Sequence, residues 1–400
     1  MIKNFYITET FIYSTKIQSD MIPNYKQNNI INLMSSILHG LGSNSKYPQL
    51  NKELTKEIKE AKNVVLMVID GVGTDSLKKL GKKSFLVKNK VQDLQSIFPS
   101  TTAAAVTTFY TGLAPQEHGV TGWYMNMKEF GAVVCLLRFI TRMRKKIELL
   151  DKDPYLPKAI FDKIKVKSYK IGPESIFKSP YNQILGKNAS LIGYRSLNGF
   201  FNKINQTIKS SSKRKFIYAY WPDFDSLSHL LGKNSKEAKD HLKAIDEKME
   251  KFVKKLEGTN TLLLITADHG QIVTTRKKAV IANEHPLLKE CLSAPLCGEP
   301  RAAYCYVYPR KVKQFESYVK NKLSKYCELH KSEDLVKAGY FGLGRAHPRL
   351  LDRVGDYTLI MKKDHIIKDF LINEEFRIKI GDHGGVSEEE MIIPLIKIRK

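Results

Sequence analysis

The tripeptide Asp-His-Gly occurs twice in this chain, and its two polar side chains are of kinds that bind divalent metal ions. The copies are TADHG at 266–270 and GDHGG at 381–385. Glycine permits the tight turn or close backbone approach that a buried site requires. Two other Asp-His pairs, at 240–241 and 364–365, lack the glycine and lie in charged segments, so they are predicted to be surface pairs. The glycine-flanked copies indicate metal ligands.

Further candidate ligands lie in two other segments. In DSLSH, Asp225 and His229 are four residues apart, and in a helix they would share one face and could hold one metal ion. Asp223 cannot easily share that face and is predicted to have a supporting or structural role. Asp70 ends the apolar run VVLMVID. Carboxylates and imidazoles without thiolates suit zinc or manganese.

Hydroxyl groups lie at the start of a predicted helix in FPSTTAAAVTTFYTGL, residues 98–113, which Gly112 is predicted to end. The group at the helix start contains Ser100, Thr101 and Thr102. A hydroxyl at a helix N-terminus lies in positive potential beside free backbone N–H groups. This arrangement favours phosphate binding and an alkoxide, although a plain helix cap is the alternative.

Apolar runs that end in acids are predicted to position these residues. The three clearest runs are residues 64–70, 215–225 and 261–270, and a fourth at 389–398 follows GDHGG. Helical segments alternate with them, which predicts an α/β fold with a mostly parallel sheet. Ligands bind outside the carboxyl ends of such strands. The sequence therefore predicts that Asp70, Asp225, Asp268 and His269 converge at one edge.

The other segments are less regular. Residues 1–60 are predicted to form an N-terminal helical extension with helices at 31–42 and 52–62, and residues 61–400 the main domain. A helix at 74–80 is predicted to be capped by Thr74 or Asp75. The regions 120–210 and 271–380 are predicted to be caps or insertions. The second contains a predicted strand at 302–308, a helix near 311–325 and a hairpin around 362–365.

The composition is typical of a globular protein, because hydrophobic residues make up 42% and charged residues 27% of the 400 residues. No apolar run is long enough to span a membrane, and the N-terminus lacks the pattern of a signal peptide. The five cysteines form no CxxC pair, which predicts free thiols in a reducing cytoplasm. The net charge of +25 indicates either a polyanionic partner, such as nucleic acid or a phosphorylated substrate, or a lysine-rich bias spread over solvated faces.

The ordered motifs VIDG (68–71), FPSTTAAAVTTFYTGLAPQEHGVTG (98–122), DSLSH, TADHG and GDHGG resemble the type I phosphodiesterase/nucleotide pyrophosphatase family of the alkaline phosphatase superfamily. The resemblance spans about residues 60–400. It implies an α/β fold in which helices flank an alkaline-phosphatase-like, mostly parallel sheet, with cap insertions over the carboxyl ends of the strands. It also implies a hydrolase with two divalent ions, zinc or manganese, that cleaves phosphodiester or pyrophosphate bonds of small nucleotide-like substrates through a phospho-threonine.

Carried over motif by motif, the resemblance assigns the site residues. The nucleophile lies ten residues before the glycine of the Thr-Gly pair, which gives Thr102, with Thr101 and Ser100 as alternatives. Asp382 is assigned a supporting or capping role. The first metal ion would be held by Asp225, His229 and His383, and the second by Asp70, Asp268, His269 and the oxygen of Thr102.

The chain departs from the family at one expected phosphate contact. The animal ectoenzymes follow HGxxG with an asparagine, whereas this chain has Trp123, and Asn126 follows three residues later. Both are predicted to bind substrate, Trp123 by stacking on a base or aryl group, with core packing as the alternative. Arg138, Arg142 and Arg301 are candidate phosphate clamps.

Other functions remain open from the sequence. The same site suits a phosphomonoesterase or a hydrolase of phosphonates, sulfates or phosphosugars. The segment from Cys297 to Arg301 has the wrong spacing for a sulfatase nucleophile, and no Walker A or GxSxG motif is present. A non-catalytic basic protein that binds polyanions is the alternative from a different class. No membrane partner is predicted, and the sequence does not indicate an oligomeric state.

Overall fold

The computed structural model describes residues 21–147, 156–372 and 374–400. Residues 1–20, to which the signal-peptide expectation and part of the predicted N-terminal extension apply, lie outside the described residues. In the described ranges the strands, in chain order, are β1 (Asn63–Ile69), β2 (Lys90–Gln95), β3 (Tyr124–Met127), β4 (Ala132–Cys135), β5 (Ile140–Thr141), β6 (Lys167–Pro173), β7 (Ser190–Tyr194), β8 (Lys215–Trp221), β9 (Thr261–Thr266), β10 (Ile272–Val273), β11 (Ala279–Ile281), β12 (Cys297–Glu299), β13 (Ala302–Cys305), β14 (Cys327–Lys331), β15 (Tyr357–Met361), β16 (Ile366–Lys368), β17 (Gly381–Asp382) and β18 (Ile392–Arg399).

Helices separate most of these strands. In the same ranges the α-helices are α1 (Ile30–Gly40), α2 (Lys52–Glu60), α3 (Thr74–Lys78), α4 (Phe85–Lys88), α5 (Thr102–Thr111), α6 (Pro115–His118), α7 (Pro180–Leu185), α8 (Leu197–Lys209), α9 (Asp223–Leu231), α10 (Lys236–Lys254), α11 (Pro286–Lys289), α12 (Val312–Tyr318), α13 (Ser332–Lys337), α14 (Leu350–Val354) and α15 (Glu388–Met391). None of the helices in the described part of the chain has the length and apolar character needed to cross a bilayer.

The main sheet has seven strands in the order β2-β18-β9-β1-β8-β6-β7. Strands β1, β8 and β9 are buried along their whole length, as near-continuous apolar runs in a helix-covered parallel sheet should be. β1 pairs in parallel with both β8 and β9, and β6 continues the parallel pairing to β7. The predicted α/β fold with a mostly parallel sheet flanked by helices is confirmed.

One strand of this sheet, β18, runs in the opposite direction to its neighbours. It pairs antiparallel with both β9 and β2. Its first residues therefore lie at the same edge as the last residues of β1, β8 and β9. Because β18 runs in this direction, the GDHGG motif that precedes it lies at the same sheet edge as the motifs that follow β1, β8 and β9.

A second sheet of seven strands, in the order β14-β15-β13-β12-β3-β4-β5, is antiparallel throughout. It combines residues 124–141 with residues 297–361, so parts of both predicted insertions build one layer. The prediction that all of 120–210 is an insertion differs from the structure, because β6 and β7 belong to the main sheet. The predicted hairpin around 362–365 is wrong, since β15 and β16 flank that turn but pair with different partners.

The helices before β1 are part of the main core and not an appended extension. Ten of the eleven residues of α1 are buried, and its apolar side chains belong to the same cluster as those of β1 and α5. Burying one Leu or Ile side chain contributes about 1.5–3 kcal/mol, so α1 contributes substantially to this core.

Two predicted helix boundaries have different outcomes. Gly112 ends α5 in the left-handed conformation, as predicted. By contrast, α3 begins at Thr74 after Gly73, and neither predicted cap, Thr74 or Asp75, is the N-cap residue. Gly73 provides no side-chain hydrogen bond there.

Candidate active site

Residues from four distant segments meet at the carboxyl edge of the main sheet. Asp70 directly follows β1, and Asp268 follows β9 by two positions. Asp225 lies in the first turn of α9, just after β8. The parallel registers align Ile69 with Trp221, so the ends of β1 and β8 coincide. The sequence prediction that these acids converge is therefore borne out in position.

The first group of potential ligands contains Asp225, His229 and His383. His229 Nε2 lies 3.3 Å from Asp225 Oδ2, one turn away on α9. His383 Nε2 lies 3.8 Å from Asp225 Oδ1. Each of the three residues offers an atom within 4.8 Å of the others, a spacing that suits one shared metal ion.

The second group contains Asp70, Asp268 and His269, all buried. His269 Nε2 lies 3.4 Å from Asp70 Oδ1 and 3.5 Å from Asp268 Oδ2. The rings of His269 and His383 stack with their centroids 3.7 Å apart, so the two groups adjoin. The two copies of Asp-His-Gly therefore supply one histidine to each group.

Backbone carbonyl groups set the orientation of all three histidines. His229 Nδ1 donates to the Gly381 carbonyl at 2.7 Å. His269 Nδ1 donates to the Gly270 carbonyl at 2.9 Å, and His383 Nδ1 donates to the Ser100 carbonyl at 3.0 Å. A carbonyl only accepts, so each Nδ1 must carry the proton. Nε2 is then the ring atom that lies beside the carboxylates in each residue, which is the arrangement of metal-binding histidines.

The glycines of both motifs are required by close contacts. At Gly270 a Cβ atom would lie 2.1 Å from the carbonyl oxygen of Glu389. At Gly384 the φ angle is 116°, and a Cβ atom would lie 2.4 Å from the Cβ of Glu299. This crowding explains why the paired motifs carry glycine whereas the other Asp-His pairs do not.

Electrostatics show that the donor set fits divalent cations. Asp70 Oδ1 and Asp268 Oδ2 are buried and have no hydrogen-bond partner among the described residues. Burial raises the pKa of the Asp70 carboxyl well above its ordinary value, and the charges of Asp268 and Asp225 raise it further. Burial, followed by neighbouring His269 and His229, lowers the pKa of His383. Clustered buried carboxylates with unpaired oxygens are what bound dications would compensate.

Only one of the three candidate hydroxyls faces these groups. Thr102 Oγ1, in the first residue of α5, donates to His269 Nε2 at 3.1 Å. Thr101 Oγ1 instead donates to Glu299 Oε1 at 2.5 Å, and Ser100 Oγ donates to the carbonyl of Gly385 at 2.8 Å. The contacts favour Thr102 over its two neighbours as the reactive hydroxyl.

A cleft of about 1220 Å³ opens beside Thr102, between the main sheet edge and the second sheet. Trp123 and Tyr124 line it, whereas Asn126 is not among the residues that line it. The guanidinium of Arg138 lies 5.4 Å from the centre of the Trp123 ring. Of the two predicted substrate contacts, the structure places Trp123 at the cleft.

The three candidate arginine clamps lie in different environments. Arg138 is exposed and lines the cleft. Arg142 also lines it, but its guanidinium is paired with Asp369 and Glu374, each at 2.8 Å. Arg301 is buried and paired with Glu390, which in turn accepts from the backbone of the GDHGG motif. The prediction that Arg301 clamps phosphate is therefore unsupported, and its contacts are those of a structural ion pair.

The two unflanked Asp-His pairs lie apart from both ligand groups, but neither histidine is a free surface side chain. His241 accepts a hydrogen bond from Trp221 Nε1 at 2.9 Å and stacks on that ring. His365 Nδ1 donates to the carbonyl of Lys278 at 3.0 Å. Asp223 is exposed at the start of α9 and is not one of the ligand-group members.

The comparisons with known proteins agree with this geometry. The family model described as type I phosphodiesterase/nucleotide pyrophosphatase matches residues 64–384. The chain belongs to this family. Its members are hydrolases of the phosphodiesterase and pyrophosphatase type, and the resemblance seen in the sequence motifs is confirmed. No individually curated protein matches the chain in sequence.

Solved structures share the fold at low sequence identity. Murine ectonucleotide pyrophosphatase/phosphodiesterase 5 is 17% identical with a TM-score of 0.63, covering 83% of this chain and 87% of its own. An inactive threonine-to-alanine variant of it, in complex with AMP, matches equally well. Phosphonoacetate hydrolase from Sinorhizobium meliloti, in complex with phosphonoformate, is 15% identical with a TM-score of 0.62, covering 84% of this chain and 90% of its own.

Sequence reasoning missed several residues that hold the candidate ligands in place. The Tyr220 hydroxyl donates to Asp70 Oδ2, and Gln271 Nε2 donates to Asp225 Oδ1. Glu299 accepts from the Trp123 backbone N–H at 2.6 Å as well as from Thr101. Gln271 directly follows TADHG, and this position could have indicated from the sequence that it lies near the ligands. The role of Glu299 depends instead on the pairing of distant strands, which no local sequence pattern shows.

Proposed function

We propose that this chain is a hydrolase that uses two divalent cations to cleave phosphodiester or pyrophosphate bonds of small nucleotide-like substrates through a phospho-threonine at Thr102. The observation that carries the proposal is the position of the Thr102 hydroxyl, 3.1 Å from His269 Nε2 and beside two groups of carboxylates and histidines. Unpaired buried oxygens on Asp70 and Asp268 support cation binding.

The residues that would hold the cations follow from the two groups. Bound there, divalent cations such as zinc or manganese would act as Lewis acids that lower the pKa of the threonine hydroxyl and stabilise charge on the phosphoryl group. One ion would be held by Asp225, His229 and His383, and the other by Asp70, Asp268, His269 and the oxygen of Thr102.

The protein's own groups would carry out the remaining parts of the proposed reaction. The first-turn N–H groups and the dipole of α5 favour negative charge at Thr102. Attack by Thr102 Oγ1 forms an oxygen–phosphorus bond and breaks the bond to the leaving group, and water then hydrolyses the phospho-threonine. Trp123, stacked against Arg138 at the cleft wall, is positioned to bind a base or aryl leaving group.

A comparison of substrates and variants tests this function. Hydrolysis of bis-p-nitrophenyl phosphate and of p-nitrophenyl phosphate is measured with chelator, with zinc and with manganese. We expect a metal-dependent preference for the diester that Thr102→Ala abolishes and Thr102→Ser partly retains. Preference for the mono-ester would instead indicate a phosphomonoesterase, and undiminished turnover by Thr102→Ala would rule out the threonine intermediate.

Phosphonate hydrolysis is a second candidate function, favoured by the fold shared with phosphonoacetate hydrolase. Phosphonoacetate and water would give phosphate and acetate, with the carbon–phosphorus bond broken and the carbon protonated. Phosphate release from phosphonoacetate, measured beside the two esters, distinguishes this activity. If the metal-loaded protein were inert on every substrate but bound nucleic acid with a steep dependence on salt, a non-catalytic polyanion-binding role would replace both.

We also propose a reducing, cytoplasmic location. All five cysteines are buried free thiols, which supports a compartment where disulfides do not form. Thiol labelling of the denatured protein purified under non-reducing conditions tests this, because a location in an oxidising compartment predicts fewer than five reactive thiols.

A further inference from the structure

Thr101 is the N-cap residue of α5, but its side chain does not cap the helix. Its backbone has the extended conformation of an N-cap residue, with φ −137° and ψ 146°, yet its hydroxyl makes no capping hydrogen bond. A threonine at this position ordinarily accepts from a first-turn N–H group. Here the N–H groups of Thr102, Ala103 and Ala104 have no hydrogen-bond partner among the described residues. The first turn of α5 therefore stays open.

Glu299 holds the Thr101 hydroxyl away from the helix. The hydroxyl donates to Glu299 Oε1 at 2.5 Å, and the Trp123 N–H donates to the same oxygen at 2.6 Å. Glu299 is the last residue of β12, in the second sheet. It packs against Gly384, where an added Cβ atom would lie 2.4 Å from the Cβ of Glu299. The position of Glu299 is therefore set by the second sheet and by the GDHGG motif, and not by α5.

The carboxyl of Glu299 has no cation to compensate its charge. Its side chain is buried, and none of the ion pairs among the described residues includes it. Burial raises the pKa of Glu299 to about 8, although the hydrogen bonds from Thr101 and from the Trp123 N–H lower it. A buried acid without a cation destabilises a fold, so an ion pair does not explain this residue. Oε1 can accept both hydrogen bonds whether the carboxyl is neutral or ionised, so the contact with Thr101 does not depend on titration.

We propose that Glu299 is a positioning residue, which engages the Thr101 hydroxyl and so keeps the N-terminus of α5 open for the phosphoryl group. The inference rests on the proposed function, in which the first turn of α5 favours negative charge at Thr102. Without Glu299, rotation about χ1 would turn the Thr101 oxygen onto the N–H of Ala103 or Ala104, which is the ordinary capping contact. The cap would then occupy a donor that a phosphoryl oxygen would otherwise use.

Calorimetry of inorganic phosphate binding to the zinc-loaded protein tests this role separately from turnover. Glu299→Met should weaken phosphate binding about tenfold, because a charge-assisted hydrogen bond from an N–H group is lost. Glu299→Gln should retain most of the affinity, since its amide oxygen can still accept from Thr101 and from the Trp123 N–H. Thr101→Val, added to Glu299→Met, should restore most of the lost affinity because valine cannot cap the helix. Such restoration is not expected if Glu299 only supports packing.

A second pair of variants leaves Glu299 in place, so it tests the role even if Glu299→Met does not fold. Thr101→Asn introduces a stronger N-cap residue and should weaken phosphate binding by closing the same N–H groups. Thr101→Val is its matched control, because it removes the hydroxyl without adding a cap. Equal phosphate affinities in these two variants would overturn the proposal. So would wild-type affinity in Glu299→Met, or no restoration of affinity when Thr101→Val is added to it.

Failure of the proposed function gives a different pattern from failure of this inference. In the first case the wild type turns over none of the esters, while phosphate affinity still differs between the Glu299 and Thr101 variants as described. In the second case metal-dependent turnover is present, but all of these variants bind phosphate equally. That result would overturn the role of Glu299 alone.

Discussion

The imidazole rings of His269 and His383 stack face to face, with centroids 3.7 Å apart and planes inclined by 16°. Each ring belongs to one copy of Asp-His-Gly, and each donates Nδ1–H to a backbone carbonyl. The duplicated tripeptide thus builds two adjoining ligand groups from segments that follow and precede different strands.

Tyr220 is predicted to orient Asp70 for metal binding, because its hydroxyl donates to Asp70 Oδ2. Tyr220→Phe should weaken zinc affinity by about tenfold or more, as loss of a partner that orients a ligand does. The measurement is a competitive zinc titration. Tyr218→Phe is the matched control on the same strand, since its buried hydroxyl has no hydrogen-bond partner among the described residues. Equal zinc affinities in the two variants would contradict the prediction.

Asp70→Asn is predicted to stabilise the metal-free protein and to abolish most of the stabilisation by zinc. The substitution replaces a buried carboxyl whose ionised form is disfavoured by burial and by the charges of Asp268 and Asp225, but it also removes a candidate ligand. Thermal unfolding with chelator and with zinc measures both effects. Asp240→Asn, at an exposed ion pair with Lys236, should change neither. A zinc-induced shift in Tm as large as that of the wild type would argue against Asp70 as a ligand.

Substitution of Arg142 is predicted to lower the stability of the fold, whereas substitution of Arg138 is predicted to weaken substrate binding. Arg142→Met leaves Asp369 and Glu374 without their buried partner and should lower the free energy of unfolding by about 3 kcal/mol. Arg138→Met, at an exposed guanidinium over Trp123, should leave stability within about 0.5 kcal/mol and raise KM for a nucleotide substrate. Urea unfolding and steady-state kinetics check the pair. The reverse pattern would show that Arg142 is the substrate contact.

Lys170 is predicted to make stability rise with pH. Its ammonium is buried beside Asn182 and the Tyr110 ring, and burial lowers its pKa from 10.5 to about 7. Between these values the unfolded chain binds a proton that the folded chain does not. The free energy of unfolding should therefore increase by up to about 1.4 kcal/mol per pH unit above pH 7.

Lys170→Met removes this titration, so the comparison isolates it from other groups. Urea unfolding at pH 7, 8 and 9 should show wild type gaining stability relative to the variant as the pH rises. Parallel curves for the two proteins would mean that Lys170 stays protonated in the folded state.

The sequence by itself determined the chemical character of the site. Apolar runs ending in Asp70 and in Asp268-His269 predicted buried parallel strands with ligands at their carboxyl ends, and the spacing of Asp225 and His229 predicted one helical face. These inferences succeed because an apolar run and the spacing of residues on a helix face can both be recognised from neighbouring residues in the sequence.

Only the tertiary structure decided which groups face one another. Thr102 was separated from Ser100 and Thr101 by contacts with His269, Gly385 and Glu299, all far away in the chain. The burial of Arg301 against Glu390 and the joining of two insertions into one sheet were equally hidden from local patterns.

The direction of β18 shows the physical reason most clearly. Its apolar sequence predicts a strand, but strand direction depends on pairing with β9 and β2, which are distant along the chain. Because β18 runs antiparallel, the motif before it reaches the edge where the other motifs end. Residue type and spacing fixed which side chains are available as ligands, and long-range pairing and packing fixed where they meet.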